Sequence, residues 1–446
     1  MDLMLSEVVK LTNGNLVYGE DTVLENFTRN TKELKKGDIF IGLKGTVDGS
    51  KFYLDALKNG AKGVIVNKGA ITNYEKVDNA FILEVDDTIK ALGEIAALKR
   101  SKYNIPIVAI TGSVGKTSTK DIVASVISQK YKVLKTAGNL NNDIGMPLMI
   151  LKLKDEEVLV LEMGMNHAGE ISYLSKIAKP TLAIITNVGS AHIGNLGSRE
   201  NILKAKLEIR DGLSGKLIIN NDNDMLHDYY LSNKDNIITV GINNDSDIMA
   251  KDISYEGNTS YKYEDTLINL KVGGEAFIYN SMLAIAAGKE LGLSMEEIKK
   301  GIESFELTKN RLQTYNVNGY KIIDETYNAN FDSMREAVTN LGKENGRKIA
   351  VLGDMLELGD YSKEIHSNVG KVVSENNIDL LVTVGNDSKY INDNSNIENV
   401  HFSTNEEAIK YLKENITTGD VVLLKASNSL NFIEIVNALK GEDNEN

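Results

Sequence analysis

The sequence predicts an α/β protein in three domains, and three observations carry that prediction. Residues 105–119 read IPIVAITGSVGKTST: a short β-branched apolar run, a glycine turn, then a segment with helical spacing. The apolar run suits a strand buried on both faces of a parallel sheet. Beyond it, strand-like runs at 158–162, 182–187 and 216–220 alternate with helical segments, the βαβ rhythm of a parallel sheet. A second alternation follows, with strands expected at 321–324, 348–353, 380–385 and 421–427 and a helix after each. A smaller α/β unit precedes both.

In chain order, residues 37–43 turn into a strand, 51–59 form a helix closed by Gly60, and 63–67 form a second apolar strand. Residues 86–102 place Ile89, Leu92, Ile95 and Leu98 at helical spacing behind Asp86 and Asp87. This helix leads into the central domain; on the residues alone, a plain accessory role for the first unit stays open. Thr111, Gly112, Ser113, Val114 and Gly115 then lead into Lys116, Thr117 and Ser118. A strand, a glycine turn and a helix N-terminus make a phosphate cradle, because backbone N–H groups and the helix dipole point at the anion. Lys116 would reach the terminal phosphates and Thr117 would ligate Mg²⁺. The usual first glycine of such a loop is Ile110 here, so the match is GxxGKT. The divisions expected are an N-terminal domain (1–104), a central P-loop ATPase domain with a mostly parallel sheet (105–311) and a C-terminal Rossmann-like domain (312–446).

Parallel sheets place ligands at the carboxyl ends of their strands. Glu162 ends the run VLVLE, which makes it a Mg²⁺ candidate or, taken alone, a solvated strand-end acid. His192 lies in the glycine-rich loop 189–194, as a ligand or as loop filler. A helix is expected over 199–213 with Ile202, Ile209 and Leu213 on its apolar stripe. Lys206 falls on that stripe, whereas Lys204 faces the polar side with Glu200 and Glu208. A lysine so placed either snorkels to water or serves a site where desolvation favours the neutral amine. Residues 236–270 hold two strand-like runs, 277–290 and 295–306 read as helices, and 307–312 form the second boundary. In the last domain, strands run into Asp324 and into Gly353-Asp354, bringing polar groups to a second sheet edge that faces the first across a cleft.

Composition bounds the function. The chain has 446 residues, 42 % hydrophobic and 25 % charged, within the soluble globular range. A net charge of −13 argues against a general nucleic-acid or acidic-membrane surface, though not against an anion held locally. The absence of cysteine removes disulfides, thiolate metal sites and cysteine nucleophiles. The start MDLMLSEVVK lacks the basic residues and longer apolar core of a signal peptide, and no apolar run reaches membrane-spanning length. The expectation is a cytoplasmic protein without membrane insertion, free of internal repeats, with a frayed acidic tail at 441–446.

Seven motifs resemble those of the Mur ligases of peptidoglycan synthesis, spread along nearly the whole chain. They are ITGSVGKTSTKD (110–121), GNLNNDIGMPL (138–148), LEMGMNHAGEI (161–171), TNVGSAHIGNLGS (186–198), KAKLEI (204–209), DETYNANFDSM (324–334) and LGDMLELG (352–359). The resemblance implies a monomeric ATP-dependent amide ligase of cell-wall biogenesis, on which cell shape and division depend. Mg²⁺-ATP would phosphorylate the terminal carboxylate of UDP-N-acetylmuramoyl-tripeptide, and the amine of D-alanyl-D-alanine would attack the acyl phosphate. It implies catalytic roles for Lys116, Lys206 and His192, with Gly112 to Ser118 on the ATP phosphates and Thr117, Glu162 and His192 on the metal. Lys206 matches the lysine that family members carry as a carbamate. Asn280 would approach the adenine, while Arg311 and Asp324 would meet phosphate and ribose. Asn30, Thr31, Lys32, Asn166 and position 140 fall to substrate, and Tyr327, Asn328, Asn330 and Asp354 to the incoming dipeptide or the interdomain cleft.

Four departures stand out. Asn30-Thr31-Lys32 replaces the family's Asp-Ser-Arg, Phe331 replaces a proline, Ala276 a histidine of the adenine loop and Asn428 an arginine near the C-terminus. They leave the ATP chemistry intact and alter the substrate ends, so a related ligase of another carboxylate and amine, folylpolyglutamate-like or a specialised peptide ligase, is the alternative. A nucleotide-gated scaffold is a third reading, opposed by the retention of Glu162, His192 and Lys206.

Overall fold

The computed structural model describes residues 3–256, 258–306 and 313–441. Its centre is strand β1 (Ile107–Thr111), followed through the glycine turn by helix α1 (Lys116–Ile127). Strands β2 (Val158–Glu162) and β3 (Leu182–Ile185) pair with β1 on either side, both parallel to it. Lys216–Asn220, Ile237–Gly241 and Ile248–Met249 continue the sheet beyond β3, and Val133–Lys135 closes it beyond β2, giving seven strands, all parallel. The apolar run at 105–111 serves both faces of this sheet. Ile107 and Ala109 join one core cluster, whereas Val108 and Ile110 join another with α1 and the helix α3 (Glu275–Glu290).

The N-terminal unit is a five-stranded sheet in the order Asn15–Tyr18, Phe81–Val85, Gly63–Asn67, Ile39–Ile41, Phe27–Thr28. Its connecting helix is Thr88–Ser101, capped by Asp87, whose side chain accepts from the amides of Ile89 and Lys90. Leu92 and Ile95 of that helix share one cluster with Ile65 and Leu83 of the first sheet and Leu159 and Leu161 of the central one. The two sheets are thereby held through a continuous apolar core. The C-terminal unit is a six-stranded sheet in the order Gln313–Val317, Tyr320–Asp324, Val421–Lys425, Lys348–Gly353, Leu380–Val384, Asn399–Phe402, parallel except for the first pair. Helix α4 (Phe331–Gly342) leaves its second strand and covers one face.

The fold class agrees with the sequence expectation, and several elements differ in extent. Helix α2 (Arg199–Leu207), expected to reach residue 213, tightens into a 3₁₀ turn over Glu208–Gly212. The Glu208 carboxylate there accepts from the amides of Gly169 and Ser172. β3 ends two residues early because Thr186 and Asn187 turn toward the glycine loop. The segment 236–270 holds five short strands where two were expected: two extend the parallel sheet, and Lys251–Ser254, Ser260–Tyr263 and Thr266–Asn269 form a separate antiparallel sheet. Gln313–Val317 and Asn399–Phe402 were not expected as strands. Both are sheet edges with polar residues and no continuous apolar run, the pattern that edge positions tolerate. The 307–312 boundary and most of the tail lie outside the described residues. Among the described residues no helix is long and apolar enough to cross a membrane.

The helix Met295–Ser304 crosses α1 where it has no side chain: a Cβ on Gly301 would run into the backbone of Val126, and Ser125 Oγ donates to the Gly301 carbonyl at 2.7 Å. Gly301→Ala is therefore expected to overpack this crossing and cost about 1–3 kcal/mol. Urea unfolding should show it as a lower midpoint with an unchanged slope.

Candidate active site

The chain runs from β1 out to the sheet edge at Val133–Lys135, returns to β2, then passes over β1 to β3. Such a reversal opens a crevice at the strands' carboxyl ends, where parallel sheets bind ligands. The glycine loop lies in that crevice. A Cβ at Gly112 would collide with Thr186 Oγ1, so the loop can approach β3 only with glycine there. Gly115 has φ +81°, a left-handed turn that aims the chain into α1. Lys116 folds back over the loop, its Nζ donating to the Gly112 carbonyl at 2.7 Å, while Ser113, Val114 and Ser118 line the turn around it.

Glu162 ends β2 beside this loop and is 3 % exposed. Its Oε2 accepts from Thr117 Oγ1 at 2.7 Å, its Oε1 from Asn141 Nδ2 at 2.8 Å, and its amide donates to Thr136 Oγ1 at 2.9 Å. An anionic oxygen and a hydroxyl oxygen in contact, at a strand end next to an anion cradle, form a donor set suited to a hard divalent cation. Lys206 is 1 % exposed on the inward face of α2, and Lys204 is exposed, as the spacing predicts. Among the described residues the Lys206 ammonium position has no hydrogen-bond or ion-pair partner. Burial, and then the charge of Lys116, push its pKa well below the usual lysine range.

His192 lies elsewhere than expected. Its Nδ1 is 2.6 Å from Glu357 Oε2, a residue of the C-terminal unit, and its backbone is left-handed at φ +64°. Among the described residues no group of three or more His, Asp or Glu side chains gathers as a metal cluster. The same loop carries further contacts across the seam: Ser190 N donates to Asp332 Oδ2 at 3.0 Å, Gly194 N to the Glu357 carbonyl at 3.2 Å, and Tyr361 Oη to the Gly197 carbonyl at 2.7 Å.

A cleft of about 730 Å³ opens between this loop, the start of α3 and α4, reached by Val114, Asn187, Arg199, Asn280 and Glu336. Asn280 sits under Gly115 and accepts from Thr119 Oγ1 at 3.0 Å. Ala276 on α3 and Phe331 on α4, two of the departures, both line this cleft. Glu336 is half-buried there, and burial, with the charge of Glu325 next, raises its carboxyl to about 7.

Other expected site residues serve the scaffold. Asp324 is buried and accepts from Thr326 N and Oγ1; Asn330 caps α4 through Ser333 N; Asp354 accepts from the amides of Asn386, Asp387 and Ser388. Only Asp354 uses both side-chain oxygens in these bonds; Asp324 accepts through Oδ1 alone and Asn330 through Oδ1 alone. Asn328 Oδ1 accepts from Ala329 N, and its carbonyl accepts from Lys425, which also pairs with Glu325. Asn428 donates to the Tyr327 carbonyl at 3.1 Å. In the N-terminal unit Asn30 Oδ1 closes a turn on Lys32 N, Thr31 is half-buried and Lys32 is exposed, as is Asn166 in the loop after β2. Position 140 is Leu140, a partly buried apolar contact; the polar group of that run which reaches the site is Asn141. Arg311 lies outside the described residues. Sequence reading missed Asn141, Asn187, Asp332 and Glu336. The first two had a signal in the GNLNND and TN runs and Asp332 one in DETYNANFDSM, whereas Glu336 had none until the two sheets met.

Comparison with known proteins places this geometry. The chain matches the Mur ligase middle domain over residues 110–288 and the Mur ligase glutamate ligase domain over residues 310–428. It is 36 % identical to the UDP-N-acetylmuramoyl-tripeptide–D-alanyl-D-alanine ligase of Bacillus subtilis, covering 98 % of this chain and 97 % of that one. The crystal structure of MurF from Acinetobacter baumannii superposes with a TM-score of 0.90 at 30 % identity, covering 99 % of both chains. MurF ligase from Thermotoga maritima, solved in complex with ADP, superposes at 0.82 with 31 % identity, covering 94 % of this chain and 97 % of that one. With its cradle, its strand-end acid and its inward lysine in one crevice, the chain belongs to the Mur ligase family.

Proposed function

We propose that this protein is an ATP-dependent ligase that joins D-alanyl-D-alanine to UDP-N-acetylmuramoyl-tripeptide in peptidoglycan precursor synthesis. The observation that carries the reading is the contact between Thr117 and Glu162 at the mouth of the glycine loop, with a buried, unpaired Lys206 close to Lys116. Relatives bearing that ligase's name match nearly end to end, which favours it over the folylpolyglutamate-like alternative. We assign residues 1–104 to the sugar nucleotide, with Asn30 to Lys32 near it, 105–311 to ATP and 312–446 to the dipeptide side. A monomer acting in the cytoplasm on soluble precursors suits this division.

The chemistry follows from the residues. The terminal carboxylate of the tripeptide attacks the γ-phosphorus of ATP; an acyl phosphate forms and ADP leaves. The dipeptide amine then attacks the acyl carbon, phosphate departs from the tetrahedral intermediate, and the amine proton is lost. Lys116 and the amide end of α1 neutralise charge on the transferred phosphoryl group. Thr117 and Glu162 fit Mg²⁺, which when bound supplies charge neutralisation to the phosphates. Lys206, whose burial favours the neutral amine, can add CO₂: the N–C bond forms, a proton leaves the nitrogen, and the amine becomes an oxygen-bearing anion suited to the same cation. His192 joins this set once it leaves Glu357. Docking of the C-terminal unit on loop 189–197 excludes water from the acyl phosphate.

The test is ADP release by the purified protein, crossing nucleotide-sugar tripeptides against D-alanyl-D-alanine and other amines. Turnover should require both named substrates; turnover with glutamate and a pterin would establish the alternative instead. In the same assay Lys116→Ala should abolish turnover with the melting temperature little changed, since its side chain is half-buried at the loop and not part of the apolar core.

Lys206→Ala should lose most activity, and added acetate should restore part of it by filling the vacated space with a carboxylate. Lys204→Ala, on the exposed face, should do little. Equal losses from both, or a free Lys206 amine by mass spectrometry of the active, CO₂-equilibrated protein, would defeat the carbamate reading.

A further inference from the structure

We propose that Asn187 is a positioning residue for ATP: its side-chain oxygen sets the shape of the glycine loop, and its amide nitrogen faces the triphosphate. The inference rests on the nucleotide reading of the cleft and goes beyond it. Asn187 Oδ1 accepts from Ser113 N at 3.0 Å and from Val114 N at 2.9 Å, and its own carbonyl accepts from Ser113 N at 3.2 Å. Around it, Thr186 Oγ1 donates to the Val114 carbonyl at 2.6 Å and Gly189 N donates to Ser113 Oγ at 2.9 Å. Three residues after β3, Thr186, Asn187 and Gly189, thus template two consecutive residues of the loop, Ser113 and Val114.

The need for a template follows from sequence. The loop is the short GxxGKT form with Ile110 where a first glycine would sit, so Ile110 stays in the sheet, paired with Glu162 and Ile184, instead of entering the turn. Fewer loop residues leave fewer backbone bonds to hold the turn's shape. Asn187 supplies two of them from outside. It also settles which way the amide points: two N–H donors converge on one side-chain atom, and only the oxygen accepts. The NH₂ group is therefore turned away from the loop. Asn187 lines the cleft, and among the described residues Nδ2 makes no hydrogen bond. A half-buried donor pair aimed into a phosphate cleft has an anion as its natural partner.

Calorimetric binding of AMP, ADP and a non-hydrolysable ATP analogue to the full chain tests this, with melting temperatures and KM for ATP alongside. Asn187→Ala should weaken the analogue about tenfold or more, the scale of one or two lost charge-assisted bonds. AMP, which lacks the β- and γ-phosphates, should weaken less than about threefold. KM for ATP should rise with KM for the dipeptide unchanged. Asn187→Asp keeps an acceptor for both loop amides, so its melting temperature should match the parent, yet its oxygen replaces the donor and the analogue should stay about tenfold weaker or more. Unchanged analogue binding in Asn187→Ala, or equal losses for AMP and the analogue, overturns the proposal. Full recovery in Asn187→Asp overturns the role of Nδ2, and if the alanine variant does not fold, the aspartate variant decides alone. A parent protein that binds no analogue would instead defeat the nucleotide reading.

Discussion

A carboxylate buried at the end of a sheet strand is tolerable only when its oxygens are paired, and Glu162 imposes that condition on everything around it. Removing such a group from water without partners costs several kcal/mol. Here the partners come from three segments: Thr117 on α1, Asn141 in the following loop, and Thr136 against the Glu162 amide. They converge only if β1, β2 and Val133–Lys135 are paired in register and the glycine turn sets α1 above them. The register of the central sheet and the donor set for a cation are thus the same structural fact. Loss of any partner would leave the acid buried and short of a bond, so the site is as rigid as the sheet beneath it.

Two lysines near this acid are treated in opposite ways. Lys116 is half-buried and folds onto a backbone carbonyl at the loop. Lys206 is enclosed by its helix's apolar stripe, with Ile202 and Ile209 beside it in the core. Among the described residues no acid pairs with it, so burial disfavours its charge and the nearby Lys116 disfavours it further. The fold thereby gives one lysine a backbone partner at the loop and leaves the other buried where its charge is disfavoured.

The seam with the C-terminal unit has a different character. Loop 186–197 is held on one side by Asn187 and Thr186 against the glycine loop, and on the other by Asp332, Glu357 and Tyr361. These are hydrogen bonds at a partly exposed surface, each contributing about 0.5–1.5 kcal/mol net. Such contacts dock a domain without locking it, which suits a cleft that must admit two large substrates. Because Ser190 and Asn187 lie in one turn, whatever moves α4 also bears on the glycine loop.

Much of this was legible in the chain. The strand at 105–111, the cradle after it, the strand-end acid and the inward lysine all depend on neighbours within one turn or one strand, and periodicity reports such neighbours. The edge strands at 313–317 and 399–402 were not legible, since an edge has only half a reason to be apolar. Nor were the local partners of Asn330, Asp354 and Asp324, which cap a helix, brace a loop and close a turn. His192 shows the limit most plainly, because its partner Glu357 lies 165 residues away. Ser190 and Asp332 are 142 apart, and even Thr117 and Glu162 are separated by 45. Sequence alone determined which local structures form and which chemistry each could offer. Only the tertiary structure decided which groups meet, because strand order and domain docking, not spacing along the chain, set those distances.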